Sequence, residues 1–453
     1  MLYSYIYYAQ ASTNPIYSVS LSVYSQRQVP IIYNLFPRLV GTMPQWLPHA
    51  NRAADMGFNW LFINSIHYPG YSGSLYAVKH HYWINPDFVP KGTPSDGMAL
   101  LKQTLHNFVN IELWPMMDLV INHTSRDCPL TKEHPSWYVH GRNAELISPF
   151  VRDLDDPTKI TVWDDLAEID NSGSIDREGL WGFWAGLVKH YLHLGFKGFR
   201  CDAAYKVPAD LWRYLIKVAA EIDPEAQFFA ETLGAPEEQT LALHDAGFHY
   251  LFNSSKWWDF GQPWCVEQHE KFGRIAPSIS FPESHDTPRL ASETGGSEAV
   301  QRQRYAFASM YSAGVMMPIG YEFGFKNNLD VVFTHPLDWE KPAFDLQPFI
   351  RRVNLLKLEQ PFFHGEGTLK LAKVNENILV LERWNQQTPG KVGWIIVNRS
   401  WDKPVSMAIT DIDSKANHRL HRICKDDSPR EGEPLPEQTL TLDPAEVALI
   451  LLP

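Results

Sequence analysis

Cysteine is scarce in this 453-residue chain: Cys128, Cys201, Cys265 and Cys424 are widely scattered and form no CxxC pair. Their spacing excludes a dense disulfide framework and a cysteine-built zinc site, and reads as reduced thiols in a cytoplasm. Basic runs are missing too. With 40 Lys and Arg against 52 Asp and Glu the net charge is −12, which excludes nucleic acid and an anionic membrane surface as partners, because both demand clustered cations. No apolar run reaches membrane-spanning length; the uncharged stretch from Tyr305 to Tyr321 is interrupted by Ser309, Ser312, Gly314 and Pro318, which make it a helix, a turn and a strand. Residues 1–26 carry no charge, but Gln10, Ser12, Thr13, Asn14 and Pro15 break them up, so no secretion signal is expected. What remains is a globular protein with a neutral ligand.

From about residue 30, short apolar runs alternate with longer amphipathic ones, the pattern of repeated βα units around a parallel sheet. The expected strands are Ile31 to Phe36, Trp60 to Asn64, Leu113 to Asn122, Gly198 to Asp202, Phe228 to Glu231, Tyr250 to Asn253, Ser278 to Ser284 and Val315 to Gly320. Between them lie helical stretches such as Pro44 to Met56, Ser95 to Asn110, Leu180 to Leu194, Pro208 to Ile222 and Glu298 to Ser312. Eight such strands fit a closed (β/α)8 barrel, an α/β fold. The expected division is an N-terminal extension over 1–29, the barrel over 30–123 and 178–360, an inserted subdomain over 124–177 after the third strand, and a C-terminal β-sandwich domain over 361–453. The insertion is inferred because a connection that long, rich in Asp, Asn, Gly and Pro, exceeds an ordinary loop.

In such barrels the chemistry sits at the carboxyl ends of the strands, so the informative residues are polar ones where an apolar run stops. The third strand gives Asp118, Asn122 and His123; the fourth Arg200 and Asp202; the fifth Glu231; the seventh Glu283, His285 and Asp286. In order, content and position these segments resemble the four signature regions of the α-amylase superfamily, glycoside hydrolase family 13. Residue by residue, the resemblance implies Asp202 as nucleophile, Glu231 as general acid and base, and Asp286 as stabiliser of the transition state. It implies that Arg200 holds Asp202 ionised and that His123 and His285 hydrogen-bond the sugar in the cleaved subsite. Tyr76, ten residues before Pro86, resembles the tyrosine that stacks on that sugar; Ala77 after it departs from the pattern of exo-acting α-glucosidases. Asp118 would orient neighbouring strands and Asn122 anchor the insertion.

The residues agree with that chemistry. Cleavage with retention requires one carboxylate as nucleophile and one protonated carboxyl near the leaving oxygen, about 5 Å apart, and adjacent strands four and five can supply them. Lys206 stands where calcium-dependent members carry a histidine, so no metal is expected at the usual site, and no cofactor is called for. Trp257 and Trp258 are candidates for further sugar subsites; Lys79, His80, His81 and Arg289 are candidates for a phosphate or for a solvated rim. Locally, from Asn122 to Tyr138 and from Ala204 to Trp212, the chain looks more like maltosyltransferases that use maltose 1-phosphate than like secreted amylases. The partner implied is an oligosaccharide or α-glucan, hydrolysed or transferred; a sugar-binding scaffold is the remaining reading.

Overall fold

The computed structural model describes residues 29–452 apart from 94–96, 153–155, 157, 258–262, 375–376, 386–387 and 413–416; the N-terminal extension, save Val29, and Trp258 lie outside the described residues. Eight parallel strands, Ile31–Leu35, Trp60–Ile63, Trp114–Leu119, Gly198–Cys201, Gln227–Ala230, Tyr250–Phe252, Ser278–Ser280 and Gly314–Pro318, follow one another in sequence order around a closed barrel. The eighth pairs with the first, Ile31 opposite Val315, so no edge is left open. Helices that include Trp46–Asp55, Met98–Asn110, Arg177–Leu194, Ala209–Ile222, Trp264–Phe272, Glu298–Tyr311 and Gln347–Glu359 surround it. Among the described residues no helix is long and apolar enough to cross a membrane.

Strand alternation decides what points inward. Ile32, Trp60, Phe62, Met116, Phe229, Tyr250, Phe252, Ile279 and Met316 fill the barrel interior, while their neighbours Tyr33, Leu61, Met117, Phe199, Phe228 and Val315 pack outward against the helices. Continuing the inward set by two residues toward the carboxyl ends replaces carbon with polar atoms: Asn34, Asn64, Asp118 and Glu231 are all buried. The apolar plug thus becomes the floor of a polar layer. Gly198 leaves the room this needs, since a Cβ there would sit 2.8 Å from the Gln227 carbonyl oxygen and 2.9 Å from the Trp60 ring.

After the third strand, His123–Ser125 pairs with Leu166–Glu168 and Phe150–Arg152 with Ile160–Val162, two short antiparallel ribbons inside the long connection. Beyond residue 360 a six-stranded sheet faces a two-stranded ribbon, Val405–Ala408 with Thr439–Leu442. Met407, Leu440 and Leu442 of the ribbon share a core with Ile378, Val380, Trp394 and Ile396 of the sheet, which is a β-sandwich. The opposite face of the sheet packs on the barrel helices, where Gln303 donates to the Asn398 carbonyl at 2.6 Å. The strands Arg419–Arg422, Glu433–Pro434 and Thr439–Leu442 carry too many charged and polar residues to stand out in the sequence.

Candidate active site

Register brings the site together. Arg200 lies opposite Asp118 across strands three and four, so both side chains project into the same layer. The Arg200 guanidinium is buried and meets four carboxylates. Its Nη1 donates to Asp118 Oδ1 at 2.8 Å and to Asp202 Oδ1 at 2.6 Å, and its Nη2 stands 3.8 Å from Glu231 Oε2 and 3.7 Å from Asp286 Oδ2. One cation thereby gathers side chains from strands three, four and five and from the loop after strand seven.

The carboxylates do not share one environment. Asp202 is further held by Asn122 Nδ2, which donates to its carbonyl at 2.8 Å and its Oδ2 at 3.3 Å. Glu231 accepts from the backbone N–H groups of Ala203 at 2.9 Å and Leu233 at 2.7 Å. Burial, followed by the charges of Asp202 and Asp286, nevertheless lifts its pKa to about 7 against the pull of Arg200. Ala203 reaches Glu231 from a left-handed backbone, φ 39°, a conformation that a residue with a Cβ adopts only under constraint. Asp286 is half exposed and sits 3.2 Å from His285 Nε2.

Tyr76 ties the layer to the hairpin that follows strand two. Its hydroxyl donates to Asp118 Oδ2 at 2.8 Å, receives Asn64 Nδ2 at 3.0 Å and lies 2.7 Å from His285 Nε2. The Tyr76 and His285 rings are parallel, at a centroid distance of 5.6 Å. His123 Nε2 lies 3.2 Å from the Tyr76 carbonyl oxygen. Burial lowers the pKa of both His123 and His285, so each presents a neutral imidazole at pH 7.

These groups open onto a cleft of about 720 Å³ whose walls include Tyr76, Asn122, His123, Arg200, Asp202, Glu231 and Asp286. His285 stands just behind it, in a small gap beside Asp286 and Arg200. Asn122 holds Asp202 with its side chain, and its carbonyl accepts from the Ile169 N–H of the insertion at 3.0 Å. Trp257 and Lys206 also line the cleft. Lys79, His80, His81 and Arg289 do not: Lys79 pairs with Asp127, His80 stacks on Trp83, His81 is buried, and Arg289 is buried against Glu283.

Sequence reasoning passed over Asn64, although it directly follows an apolar strand as Glu231 does. Phe150, Trp163 and Tyr205 also line the cleft; the first two arrive on a hairpin of the insertion, whose docking no local pattern reveals. No group of three or more His, Cys, Asp or Glu suited to a metal ion occurs among the described residues.

Residues 28–152 match the family model of the glycogen debranching enzyme glucanotransferase domain. The α-1,4-glucan:maltose-1-phosphate maltosyltransferase of Burkholderia pseudomallei is 26% identical over 353 residues, 75% of this chain and 30% of that protein. The maltosyltransferase of the same name from Myxococcus xanthus is 24% identical over 391 residues, 79% of this chain and 55% of that protein. The chain therefore spans between 30% and 55% of the length of these relatives. Among solved structures, an α-amylase from Lactobacillus plantarum superposes with a TM-score of 0.73 at 21% identity, covering 94% of this chain and 99% of that one. An α-amylase from H. orenii gives 0.74 at 17% identity, covering 94% and 100%. At these identities the structural likeness is one of fold.

Proposed function

We propose that the chain is a member of the α-amylase superfamily and a retaining enzyme acting on α-glucosidic bonds, a reading supported by the family-model match over residues 28–152 and by the maltosyltransferase relatives. Asp202 Oδ attacks the anomeric carbon as the bond to the leaving oxygen breaks, and Glu231 gives that oxygen its proton. The emptied Glu231 then takes a proton from water or a sugar hydroxyl, whose oxygen displaces Asp202. Asp286 faces the positive charge that develops on the ring between these steps. The observation that carries this reading is the division between two neighbouring carboxyls. Glu231 is lifted to about 7 by burial, whereas Asp202 is bound to a buried guanidinium at 2.6 Å; two acids set apart in this way are suited to opposite roles. Incubation with maltooligosaccharides and product sizing tests it: shorter products mean hydrolysis, longer ones transfer, and Glu231→Gln abolishes either while sugar binding persists. Binding without turnover of any α-glucan, glycosyl phosphate or disaccharide supports the scaffold reading instead.

A second reading, maltosyl transfer from maltose 1-phosphate, draws on Lys206. Its ammonium lines the cleft at 5.6 Å from the Tyr205 ring and 5.9 Å from the Phe150 ring, and among the described residues no carboxylate lies within ion-pair distance, although the charge of Glu168 is felt. A cation there suits a phosphate leaving group, and the relatives above are named for such a donor. Release of inorganic phosphate from maltose 1-phosphate in the presence of a glucan acceptor distinguishes the two.

A further inference from the structure

The hairpin that supplies Tyr76 to the cleft carries a second aromatic assembly outside the cleft lining. His67–Pro69 pairs with Val78–Ile84, but the register jumps: His67 lies opposite Ile84 and Tyr68 opposite His80. The partner strand thus passes His81, Tyr82 and Trp83 within a single step of the other, a bulge that re-aims side chains. His81 turns inward and is buried, whereas Trp83 turns outward and is 52% exposed. The Trp83 ring is nevertheless held. His80 stacks on one face at a centroid distance of 4.1 Å, and Tyr68 meets both rings edge-on, at 5.6 Å from His80 and 6.0 Å from Trp83. About half of the Trp83 surface remains exposed to solvent.

We propose that Trp83, backed by His80 and Tyr68, is a glucan-binding platform separate from the catalytic cleft. The proposal rests on the glucan reading of that cleft. An exposed indole fixed by two neighbouring rings offers a flat apolar face without ordering cost on binding, and the apolar face of a pyranose is its complement. Hydroxyl partners stand alongside. Asp127 and Lys79 form a 2.7 Å pair in which each side chain is about one-third exposed, next to His80 in sequence and space. The net charge of −12 disfavours an anionic occupant, and a neutral polyhydroxylated chain fits both the ring and its polar border. A polymer held here lies on the same hairpin as Tyr76, so it is retained beside the cleft between catalytic events.

The test is native electrophoresis in gels with and without glycogen, using the full chain carrying Glu231→Gln so that no polymer is consumed, with and without Trp83→Ala. Thermal midpoints check that both fold, and turnover of maltopentaose by the unsubstituted protein tests the cleft reading separately. The expected result is retardation by glycogen that Trp83→Ala weakens, with the apparent dissociation constant rising about three- to tenfold. Equal retardation of the two variants, or none in either while maltopentaose is turned over, overturns the platform and leaves the cleft reading standing. Failure of the unsubstituted protein to turn over any α-glucan or maltose 1-phosphate overturns the cleft reading. A dimer seen in sedimentation that Trp83→Ala dissociates assigns the patch to a second copy of the chain, and also overturns the platform.

Discussion

A single nitrogen of Arg200, Nη1, donates both to Asp118 Oδ1 at 2.8 Å and to Asp202 Oδ1 at 2.6 Å. Asp118 is fully buried and is fixed from its other side by the Tyr76 hydroxyl at 2.8 Å and the Ser65 N–H at 3.2 Å. The orientation of Asp202 is therefore inherited from strand three through that one nitrogen, while Nη2 faces Glu231 and Asp286. Arg200→Lys keeps the charge but loses the rigid planar group and the second nitrogen that faces Glu231 and Asp286, which is not a conservative change at a shared site. The expected outcome is a folded protein with kcat reduced about a hundredfold, since displacing a reacting group by about 1 Å costs that much. Steady-state kinetics alongside circular dichroism checks it; retention of kcat removes Arg200 from the positioning role.

This dependence also explains what the sequence made legible. Each strand was readable because an apolar run in a buried parallel sheet is continuous, and each polar stop marked a place where the interior changes from carbon to hydrogen-bonding atoms. Asp202 and Glu231 directly follow such runs whereas Asp118 and Arg200 interrupt them; each alone is a weak signal, and the four segments in order are what nominate them. Arg289 misled as a candidate for a solvated rim because its partner, Glu283, is known only once the loop is folded. Phe150 and Trp163 could not be nominated at all: their place in the cleft depends on how a hairpin of the insertion docks, a long-range property without local period.

Glu231 predicts two pH effects. If its protonated form is the acid, kcat/KM falls on the alkaline side with a midpoint near its pKa of about 7. Its folded pKa is raised above the unfolded value, so its contribution to stability is fully present below the ordinary carboxylate range and is lost as pH rises through about 7. The full difference is at most about 3 kcal/mol by linkage. Glu231→Gln cannot ionise, so its thermal midpoint relative to the unsubstituted protein becomes more favourable between pH 5 and pH 8.5. Parallel melts across that range test the sign; a difference that does not change with pH counts against a raised pKa.

Gly198 faces the barrel interior where the Trp60 ring and the Gln227 carbonyl close in, at 2.9 Å and 2.8 Å from the place a Cβ would occupy. Gly198→Ala has to push strand four away from its neighbours, and overpacking of this kind costs about 1–3 kcal/mol. Two residues further along the same strand stands Arg200, so activity falls together with stability. Urea denaturation combined with kcat measurement tests the coupling; destabilisation with full activity separates the floor of the barrel from its polar layer.

Asp286 has few holds of its own: it is half exposed, with His285 Nε2 at 3.2 Å and Arg200 Nη2 at 3.7 Å. Its loop is clamped at both ends by a buried pair. Arg289 Nη1 donates to Glu283 Oε1 at 2.8 Å, the Leu290 N–H donates to Glu283 Oε2 at 2.6 Å, and Arg289 Nη2 reaches the Ile319 carbonyl at 2.8 Å. Both side chains are 1% exposed, so removing the cation strands a carboxylate in the interior. Arg289→Met is therefore expected to destabilise the fold by about 3–5 kcal/mol. Arg289→Lys restores the charge without the second and third donors of the fork, and so recovers part of that stability while leaving the loop mis-set. If the clamp acts through Asp286, this milder variant lowers kcat more than it raises KM, because Asp286 is needed most when charge develops on the ring. Chemical denaturation ranks the stabilities and steady-state kinetics divides kcat from KM; an Arg289→Lys protein with unchanged kcat limits the pair to holding the loop folded.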